Sequence, residues 1–405
     1  MVIVSFLITM SNRKEYSTVK DKNSRYQIDY VLILIVLAIA TVSCFAIASA
    51  QPSLPPNLQK VNFVAKQIQW YVIGAIAIAA VMVIDFDRYK QICWYLYGFA
   101  MLLLIGLEFH IPGSQTIKGA TAWYKLPAGL GNFQPSEIMK LFLILVVGRI
   151  IVDHNEKYVI RTPREDLLLL GKIFAASLPP LLLIAKEPDL GNTMVISAML
   201  AAMILVSGVR WRFIFGLAGI VVGVGAILVY IYFAHTAFFK SHILQDYQLD
   251  RFYGWLQPYE YPTQGYQLTQ AVLATGSGEL YGKGWENGQV YFPEPHTDFI
   301  FTNIAEKFGF LGGSVVISLF FLLIYRMIHI ALESNDPYGS YICAGTIGMF
   351  TFQVFQNIGM TIGLLPITGI TLPLLSYGGS SLVTYLIAIG FILNVQSRTK
   401  KFMFD

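Results

Sequence analysis

The chain has 405 residues, of which 55% are hydrophobic and 13% are charged, and its mean hydropathy is +0.59. Apolar runs of about 18 or more residues recur along it, which excludes an ordinary soluble protein and indicates transmembrane helices. The formal net charge of +4 by itself indicates no particular partner. Cys44, Cys93 and Cys343 lie far apart inside apolar runs, so the sequence indicates neither a disulfide framework nor a zinc site.

The apolar runs predict an all-α polytopic membrane protein with about ten transmembrane helices of about 20 residues each. The predicted spans cover residues 30–50, 66–84, 92–111, 136–152, 167–185, 189–207, 213–234, 300–326, 340–364 and 376–395. A polar, basic tail (residues 1–29) precedes a single transmembrane domain over residues 30–398, and a short tail (residues 399–405) follows it. Met1 and Met10 are both candidate start sites.

Basic residues are distributed unequally between the two sets of connections, and this bias predicts the orientation. With the N-terminus inside, the cytoplasmic segments contain Arg13, Lys14, Lys20, Lys22, Arg25, Arg88, Lys90, Arg149, Lys157, Arg161, Arg164, Arg210, Arg212, Arg326, Arg398, Lys400 and Lys401. The outer segments contain Lys60, Lys66, Lys118, Lys125, Lys140 and Lys186. We therefore expect both termini in the cytoplasm and two long extracytoplasmic loops, residues 112–135 and residues 235–299, the latter between spans 7 and 8.

The first extracytoplasmic loop leads into a charged helix start. Trp123 within the loop is, taken alone, typical of an aromatic residue at the membrane interface. Pro135 suits the first turn of a helix, and Glu137 and Lys140 are spaced to pair on one face of that helix. Two interpretations stay open: a simple helix start with an ion pair, or a charged pair that faces a polar cavity.

The connection between spans 5 and 6 combines prolines with charges. Pro179 and Pro180 remove backbone donors, so we expect them to distort the fifth span. Residues 185–192, Ala-Lys-Glu-Pro-Asp-Leu-Gly-Asn, are typical of a tight hairpin. Asp189 lies where the next apolar run begins, and a carboxylate at such a position is a candidate functional residue.

The large loop ends in residues 291–301, Tyr-Phe-Pro-Glu-Pro-His-Thr-Asp-Phe-Ile-Phe. Pro295 keeps the chain extended, and Thr297 is predicted to cap the following helix. Asp298 would then lie in the first helical turn, at the boundary between water and membrane. It either complements the helix dipole only, or faces an aqueous cavity as a functional carboxylate.

The rest of loop 235–299 is rich in Tyr, Trp and Gln. This composition is typical of a surface that stacks on sugars and hydrogen-bonds to them, and an ordered interfacial loop has a similar composition. The closely spaced glycines of residues 276–285 would let the backbone approach a bulky ligand. They lack the strand–helix context of a nucleotide-binding loop, so a dinucleotide site is excluded.

Residues 357–381 contain six glycines and prolines after residue 362 and cannot form one regular helix. Irregular backbone at membrane depth requires surrounding protein or a water-filled cavity. Ser376, Ser380 and Ser381 are predicted to supply hydroxyls to the freed backbone groups. A broken helix beside a polar cavity is also typical of a transporter.

Taken together, these segments resemble the SEDS family (shape, elongation, division and sporulation) over residues 30–398, and within it the elongation (RodA-like) branch. The resemblance is carried by Gln-Pro-Ser-Glu (134–137), Pro-Asp-Leu-Gly (188–191), Pro-Glu-Pro-His-Thr-Asp-Phe-Ile-Phe (293–301) and the whole of residues 357–381, which end in Ser-Tyr-Gly-Gly-Ser-Ser. The resemblance implies an enzyme that polymerises peptidoglycan glycan strands in the bacterial plasma membrane during cell elongation.

The resemblance also implies roles for particular residues. Asp298 matches the family's catalytic aspartate and is expected to act as the general base. The residues expected to bind substrate are Trp123, Glu137, Lys140, Lys186, Asp189, Arg251 and His296. Of these, Arg251, Lys140 and Lys186 are candidates to stabilise the charge of a leaving pyrophosphate.

The implied substrate is lipid II, a disaccharide-pentapeptide linked to undecaprenyl pyrophosphate. A 4-hydroxyl attacks the anomeric carbon, the polyprenyl pyrophosphate leaves, and a β-1,4 bond forms with inversion. The implied partners are a class B penicillin-binding protein, the elongation machinery and membrane lipid, with no nucleic acid. No cofactor is expected; a divalent cation would suit the leaving group, but the sequence shows no ligand cluster for one.

Other functions fit the same features. A lipid II flippase would need polar contacts on both membrane faces, and a non-catalytic scaffold would tolerate loss of Asp298. The division and sporulation members of the family are further alternatives to an elongation enzyme. We predict that the partner's transmembrane helix docks near Gly345 and Gly348 in the ninth span, where small residues permit close approach; internal packing is the alternative role for these glycines.

Overall fold

The structure is a computed structural model that describes residues 28–117, 120–126, 131–187, 189–235, 246–285, 287–288 and 290–399. Apart from Ile28, Asp29 and Thr399, the two predicted tails lie outside this range. Apart from two short turns of helix, Gln51–Ser53 and Pro56–Gln59, the helices are α1 (Tyr30–Ala50), α2 (Phe63–Val83), α3 (Phe86–Glu108), α4 (Pro135–Lys157), α5 (Pro163–Lys186), α6 (Leu190–Val206), α7 (Trp211–Ala234), α8 (Asp246–Leu256), α9 (Pro262–Ser277), α10 (Ile300–Glu333), α11 (Pro337–Thr361) and α12 (Gly379–Arg398).

Ten of these helices, all except α8 and α9, correspond to the ten predicted spans, so the prediction of an all-α polytopic membrane protein is confirmed. Among the described residues, seven helices are long and apolar enough to cross a membrane on these criteria alone. The other three of the ten are α4, α6 and α11. Helix α6 has only 17 residues, which is short for a span. Helices α4 and α11 are largely buried between other helices, and their polar side chains are therefore shielded from lipid.

The centre of the bundle is built from α4, α11 and α12. Helix α11 packs on α6, α10 and α4, and α12 packs on α2, while α1 packs on α10. By contrast, α7 contains no fully buried residue and most of its surface is exposed, with Phe213, Ile214 and Leu217 packed against the core. This arrangement places the helices with polar residues inside and the most apolar ones outside.

Two connections on the same end of the bundle are structured, and we call this end the loop end. Between α3 and α4 the chain forms a small antiparallel sheet of β1 (Ser114–Ile117), β2 (Ala120–Lys125) and β3 (Asn132–Phe133). Between α7 and α10 it forms α8 and α9. The sheet was not predicted from the sequence, and α8 and α9 show that part of loop 235–299 is ordered.

The two prolines of the fifth span lie inside a continuous helix, α5, rather than at a break. Because Pro180 has no N–H, the carbonyl of Ala176 loses its helical donor. The hydroxyl of Tyr97 in α3 donates to that carbonyl at 2.8 Å. A neighbouring helix therefore replaces the missing hydrogen bond, which explains how the helix continues through this sequence.

The glycines of residues 276–285 approach protein backbone rather than a ligand, contrary to the sequence interpretation. Helix α10 is interrupted at Gly309, whose φ is +64°. The N–H groups of Lys283 and Gly284 donate to α10 carbonyls at 3.0 Å each, and a Cβ on Gly282 would lie 2.2 Å from the carbonyl oxygen of Lys307. Only glycine permits this contact, which compensates for helical hydrogen bonds lost at the break.

Gly345 and Gly348 pack inside the bundle, so the predicted docking of a partner helix on them is wrong. A Cβ on Gly345 would lie 2.9 Å from both Ile144 of α4 and Met203 of α6. A Cβ on Gly348 would lie 2.5 Å from Ala202 of α6. These glycines bring α11 against its neighbours in the bundle, which leaves no space for a helix from another chain.

The close packing predicts the effect of enlarging Gly348. We expect Gly348→Leu to lower the free energy of unfolding by about 1–3 kcal/mol, because the side chain must displace α6. Gly216→Leu on α7 is the matched control, since a Cβ there meets no atom within 4 Å among the described residues. Thermal unfolding of both variants in detergent would check this, and equal melting temperatures would contradict the packing.

Candidate functional site

The loop end contains a cavity of about 1090 Å³ that reaches into the bundle. Its walls come from the sheet, the first turns of α4, α6 and α12, helices α8 and α9, and the turn before α10. The irregular residues 362–378 between α11 and α12, here called the broken segment, complete the walls. Among the described residues, its lining includes six carboxyl groups and one basic side chain, that of Arg251. The predicted residues Trp123, Glu137, Asp189, Arg251 and Asp298 all line it.

Asp298 lies in a turn that precedes α10, not in the first turn of the helix as predicted. Helix α10 begins at Ile300, and the hydroxyl of Thr297 donates to the Glu294 side chain at 3.2 Å instead of capping the helix. The predicted Thr297 cap is therefore wrong. The half-buried Asp298 carboxyl lines the cavity, and a Cβ on Gly369 of the broken segment would lie 3.7 Å from its Oδ2.

The broken segment and α11 hold the backbone on both sides of this carboxyl. Asn357 Nδ2 of α11 donates to the Asp298 carbonyl at 2.9 Å and to the Ile370 carbonyl at 2.7 Å. The Ser376 hydroxyl donates to the Thr297 carbonyl at 2.7 Å, and the Tyr377 N–H donates to the His296 carbonyl at 2.9 Å. Because three successive carbonyls are bound, the backbone that carries the Asp298 side chain is held by distant parts of the chain.

This arrangement predicts that Asn357 positions Asp298. We expect Asn357→Leu to lower any activity that depends on Asp298 by about 10- to 100-fold per folded molecule, since small displacements of a reacting group have effects of this size. Asn155→Leu is the matched control, because Asn155 Nδ2 also donates to a carbonyl, that of Ser207, at the opposite end of the bundle. Comparable loss of activity in the two variants, measured per folded molecule, would contradict a positioning role.

A second polar group of the cavity wall connects α4 with α6. Lys140 Nζ lies 2.9 Å from Glu137 Oε1 and donates to Asn192 Oδ1 at 2.9 Å. Asp189 is the N-cap of α6: it accepts from the Asn192 N–H at 2.9 Å and also from Gln134 Nε2 at 2.8 Å. The predicted pairing of Glu137 with Lys140 is confirmed, and it lies in a buried network beside the cavity rather than at a solvated helix start.

Arg251 and Trp123 approach the cavity from the two structured connections. Arg251 of α8 donates to the Ile367 carbonyl of the broken segment at 3.2 Å. A guanidinium has five N–H donors, so this contact orients the side chain and leaves donors for a ligand. Trp123 lies half-buried in β2 on the cavity wall, where its ring offers a flat surface for stacking.

Lys186 and His296 lie outside the cavity lining. Lys186 is 62% exposed and pairs with Glu108 of α3 at 3.0 Å. His296 is buried between aromatic rings, with ring centroids 4.7 Å from Phe63 and 5.7 Å from Tyr377. His296 therefore packs behind the turn that carries Asp298, and Lys186 lies on the surface.

Sequence reasoning missed Glu187, Gln134 and Asn192. All three line the cavity, and each flanks or belongs to a motif that the sequence analysis had singled out. Burial, with smaller contributions from Asp189 and Glu108, raises the pKa of the Glu187 carboxyl from 4.5 to about 8. Its place between Lys186 and Asp189 was the available signal, but its burial could not be deduced from the sequence.

Among the described residues, no group of three or more His, Cys, Asp or Glu side chains is placed to hold a metal ion. The cavity instead combines carboxyl groups, a guanidinium, amides and a tryptophan. Such a set can hydrogen-bond to sugars, bind an anion and accept a proton. These properties define a polytopic membrane protein with a candidate active site at one membrane boundary.

Comparison with known proteins identifies the family. The family model for the FtsW, RodA and SpoVE cell cycle proteins matches residues 29–401. Stage V sporulation protein E of Bacillus subtilis is 35% identical over 91% of this chain and 96% of its own length, and the peptidoglycan glycosyltransferase MrdB of Escherichia coli K12 is 32% identical over 93% and 95%. The chain belongs to this family, also called SEDS.

A solved structure agrees with the fold. A chain from a peptidoglycan synthase complex, described as coordinating polymerization and crosslinking, superposes with a TM-score of 0.73 at 27% identity. The alignment covers 92% of this chain and 98% of that chain. The resemblance stated from the motifs is thereby confirmed. The family includes members named for cell shape, division and sporulation, so family membership alone does not select one of these roles.

Proposed function

We propose that this protein is a peptidoglycan glycosyltransferase that polymerises lipid II into β-1,4-linked glycan strands during cell elongation, with Asp298 as the general base. The observation that carries the proposal is that one cavity brings together Asp298, Arg251 and Trp123 at a membrane boundary. The names of the relatives MrdB and FtsW, both peptidoglycan glycosyltransferases, support the reaction class.

The proposed reaction transfers the growing strand to an incoming lipid II. The 4-hydroxyl of the acceptor GlcNAc loses its proton to the Asp298 carboxylate while its oxygen attacks the anomeric carbon of the lipid-linked MurNAc. The bond from that carbon to the pyrophosphate oxygen breaks on the opposite face, so the anomeric configuration inverts and undecaprenyl pyrophosphate leaves. One O–H and one C–O bond break, and one new C–O bond forms, with the proton on Asp298.

The contacts of Asp298 support its assignment as the base. Its backbone is fixed by Asn357 and Ser376, and its carboxyl lines the cavity in which the acceptor must bind. A base contributes only when it is held within hydrogen-bond reach of the proton that it accepts. The rigid turn therefore suits a catalytic carboxylate better than a mobile surface residue.

The charges of the cavity suggest where the pyrophosphate binds. Arg251 is the basic residue that lines the cavity within the described range, and Lys140 lies just behind Glu137. We assign Arg251 to the leaving pyrophosphate, because guanidinium groups bind phosphoryl oxygens in a bidentate manner. Lys140 is assigned to the same region, where its charge is partly offset by Glu137. Trp123 is assigned to stacking on a sugar.

Orientation and partnership follow from the proposed reaction. The loop end would lie on the extracytoplasmic side, with both termini in the cytoplasm, as the distribution of basic residues predicts. A class B penicillin-binding protein would cross-link the strands made here. The similar chain from a synthase complex that combines polymerization and crosslinking supports this partnership.

A flippase is disfavoured by the position of the polar groups. The described cavity lining comes from the segments of the loop end, together with polar side chains of α4, α11 and α12 just below them. Transport of a charged headgroup would require polar contacts along the whole path to the opposite end. At the opposite end, the buried Asp166 is already paired with Arg161 and Arg210.

The test is polymer formation from lipid II by the purified full-length protein, alone and with its transpeptidase partner. We expect glycan strands on a gel, and undecaprenyl pyrophosphate released in equal amount to the bonds formed. A lipid II transport assay in sealed vesicles runs in parallel. Transport without polymer would refute the proposed function.

A further inference from the structure

Glu187 is a buried carboxylic acid that lines the cavity and has no role in the reaction described so far. Glu187 directly follows the last residue of α5 and is only 7% exposed. Neither carboxyl oxygen has a hydrogen-bond partner among the residues that the structure describes. A buried polar group without a partner is costly, so its retention beside a cavity indicates a ligand.

The lysine next to Glu187 in the chain is already bound to another carboxylate. Lys186 pairs with Glu108 at 3.0 Å. The groups that act on Glu187 or adjoin it in the chain are Glu108 (α3), Tyr124 (β2), Lys186 (α5) and Asp189 (α6). Glu137 (α4) and Arg251 (α8) line the same cavity. Because Glu187 is buried, Asp189 and Glu108 are negative and Lys186 is paired elsewhere, the Glu187 carboxyl favours the uncharged form.

The pKa of this carboxyl, raised to about 8 chiefly by burial, agrees with the geometry. At neutral pH the group therefore carries a proton and is a hydrogen-bond donor. The cavity around it is lined by five other carboxyl groups and one guanidinium. An uncharged donor binds an anion in such a cavity, whereas another ionised carboxylate would repel it.

We propose that Glu187 is held as the neutral acid and donates a hydrogen bond to a phosphoryl oxygen of the lipid-linked pyrophosphate, an inference that rests on the proposed function. The neutral Glu187 carboxyl adds a hydrogen-bond donor for the anion without adding a positive charge to the cavity. Binding then depends on pH, because ionisation of Glu187 both removes the donor and adds a repelling charge.

The test measures binding of undecaprenyl pyrophosphate, which carries the anion but no sugar, to the full-length protein in detergent. For the wild type, we expect affinity to fall by about 10- to 100-fold between about pH 6.5 and about pH 9.5, because a hydrogen bond to a charged group is lost. Glu187→Gln keeps an uncharged donor, so its affinity at every pH should stay near the affinity that the wild type has at the lower pH. Any ionisation of the lipid itself affects both proteins equally.

Three further variants make the test specific. Glu187→Ala lacks a donor and should bind weakly at every pH. Glu108→Gln removes a negative neighbour, so the decline in affinity should move to lower pH. Glu260→Gln, an exposed carboxyl in the connection between α8 and α9, should behave as the wild type. If Glu187→Gln loses affinity at all pH values while Glu187→Asp keeps it, the ionised form is the active one and the proposal is overturned.

Thermal unfolding provides a readout that does not require a ligand. A carboxyl whose folded-state pKa lies above its unfolded value makes the folded protein less stable as pH rises between the two values, here from 4.5 to about 8. The melting temperature of Glu187→Gln should therefore rise above that of the wild type across this window and level off beyond it. A constant difference would overturn the neutral-acid assignment. Absence of polymer from the wild type would instead refute the proposed function.

Discussion

Asp298→Asn is expected to lower the rate of lipid II polymerisation by about 10²–10⁴-fold, because loss of a general base has effects of this size. Asparagine has nearly the same shape and preserves the backbone, whose carbonyl still accepts from Asn357. The variant should therefore insert, fold and bind its transpeptidase partner normally. Initial rates with purified complexes, together with thermal unfolding, would separate chemistry from stability.

The matched control for this variant is Glu260→Gln, which neutralises an exposed carboxyl of the same large loop outside the cavity lining. We expect its rate to equal that of the wild type. If Asp298→Asn retains near-normal turnover, Asp298 is not the base. If both variants lose activity equally, the loss reflects the loop as a whole rather than one carboxylate.

Lys140→Met is expected to give the largest loss of stability, about 3–5 kcal/mol, because it leaves the buried Glu137 carboxylate without its cation. The Lys140 side chain is fully buried and that of Glu137 is 6% exposed, so the pair is largely shielded from water. The same change also removes the donor to Asn192 Oδ1. Unfolding in detergent, followed by heat or denaturant, would measure the effect.

A surface pair of the same type is the control. Lys186 and Glu108 are 62% and 40% exposed, and such pairs contribute about 0–1 kcal/mol, so Lys186→Met should have little effect. The double variant Glu137→Gln, Lys140→Met should be more stable than Lys140→Met alone, since no unpaired charge remains. Equal effects of Lys140→Met and Lys186→Met would show that the buried pair is not isolated from water.

The sequence predicted well those features that depend on residues near one another in the chain. Pro135 begins α4 as expected, and Glu137 pairs with Lys140 three residues later. Two of the predicted serine contacts are also local: Ser376 accepts from the Leu372 N–H, and Ser381 donates to the Gly378 carbonyl. Local spacing and hydropathy determine these contacts.

The incorrect predictions concern residues whose partners are distant. Thr297 fits the pattern of a helix cap, but its carbonyl is bound by Ser376 and its hydroxyl by Glu294, so α10 begins later. Gly345 and Gly348 have the spacing of an interface between chains, yet α4 and α6 occupy that space. Hydropathy also does not detect strands of four, six and two residues, such as those of the small sheet.

The long-range contacts around Asp298 also set the order in which the protein becomes active during translation. The donors to the Thr297 and Asp298 carbonyls follow their acceptors by 79 and 59 residues. At a synthesis rate of about 5–20 residues per second, the ribosome needs roughly 4–16 s to add the 79 residues up to Ser376. The Asp298 turn is therefore synthesised before the groups that hold it, and we expect chains that end before Ser376 to be inactive in the polymerisation assay.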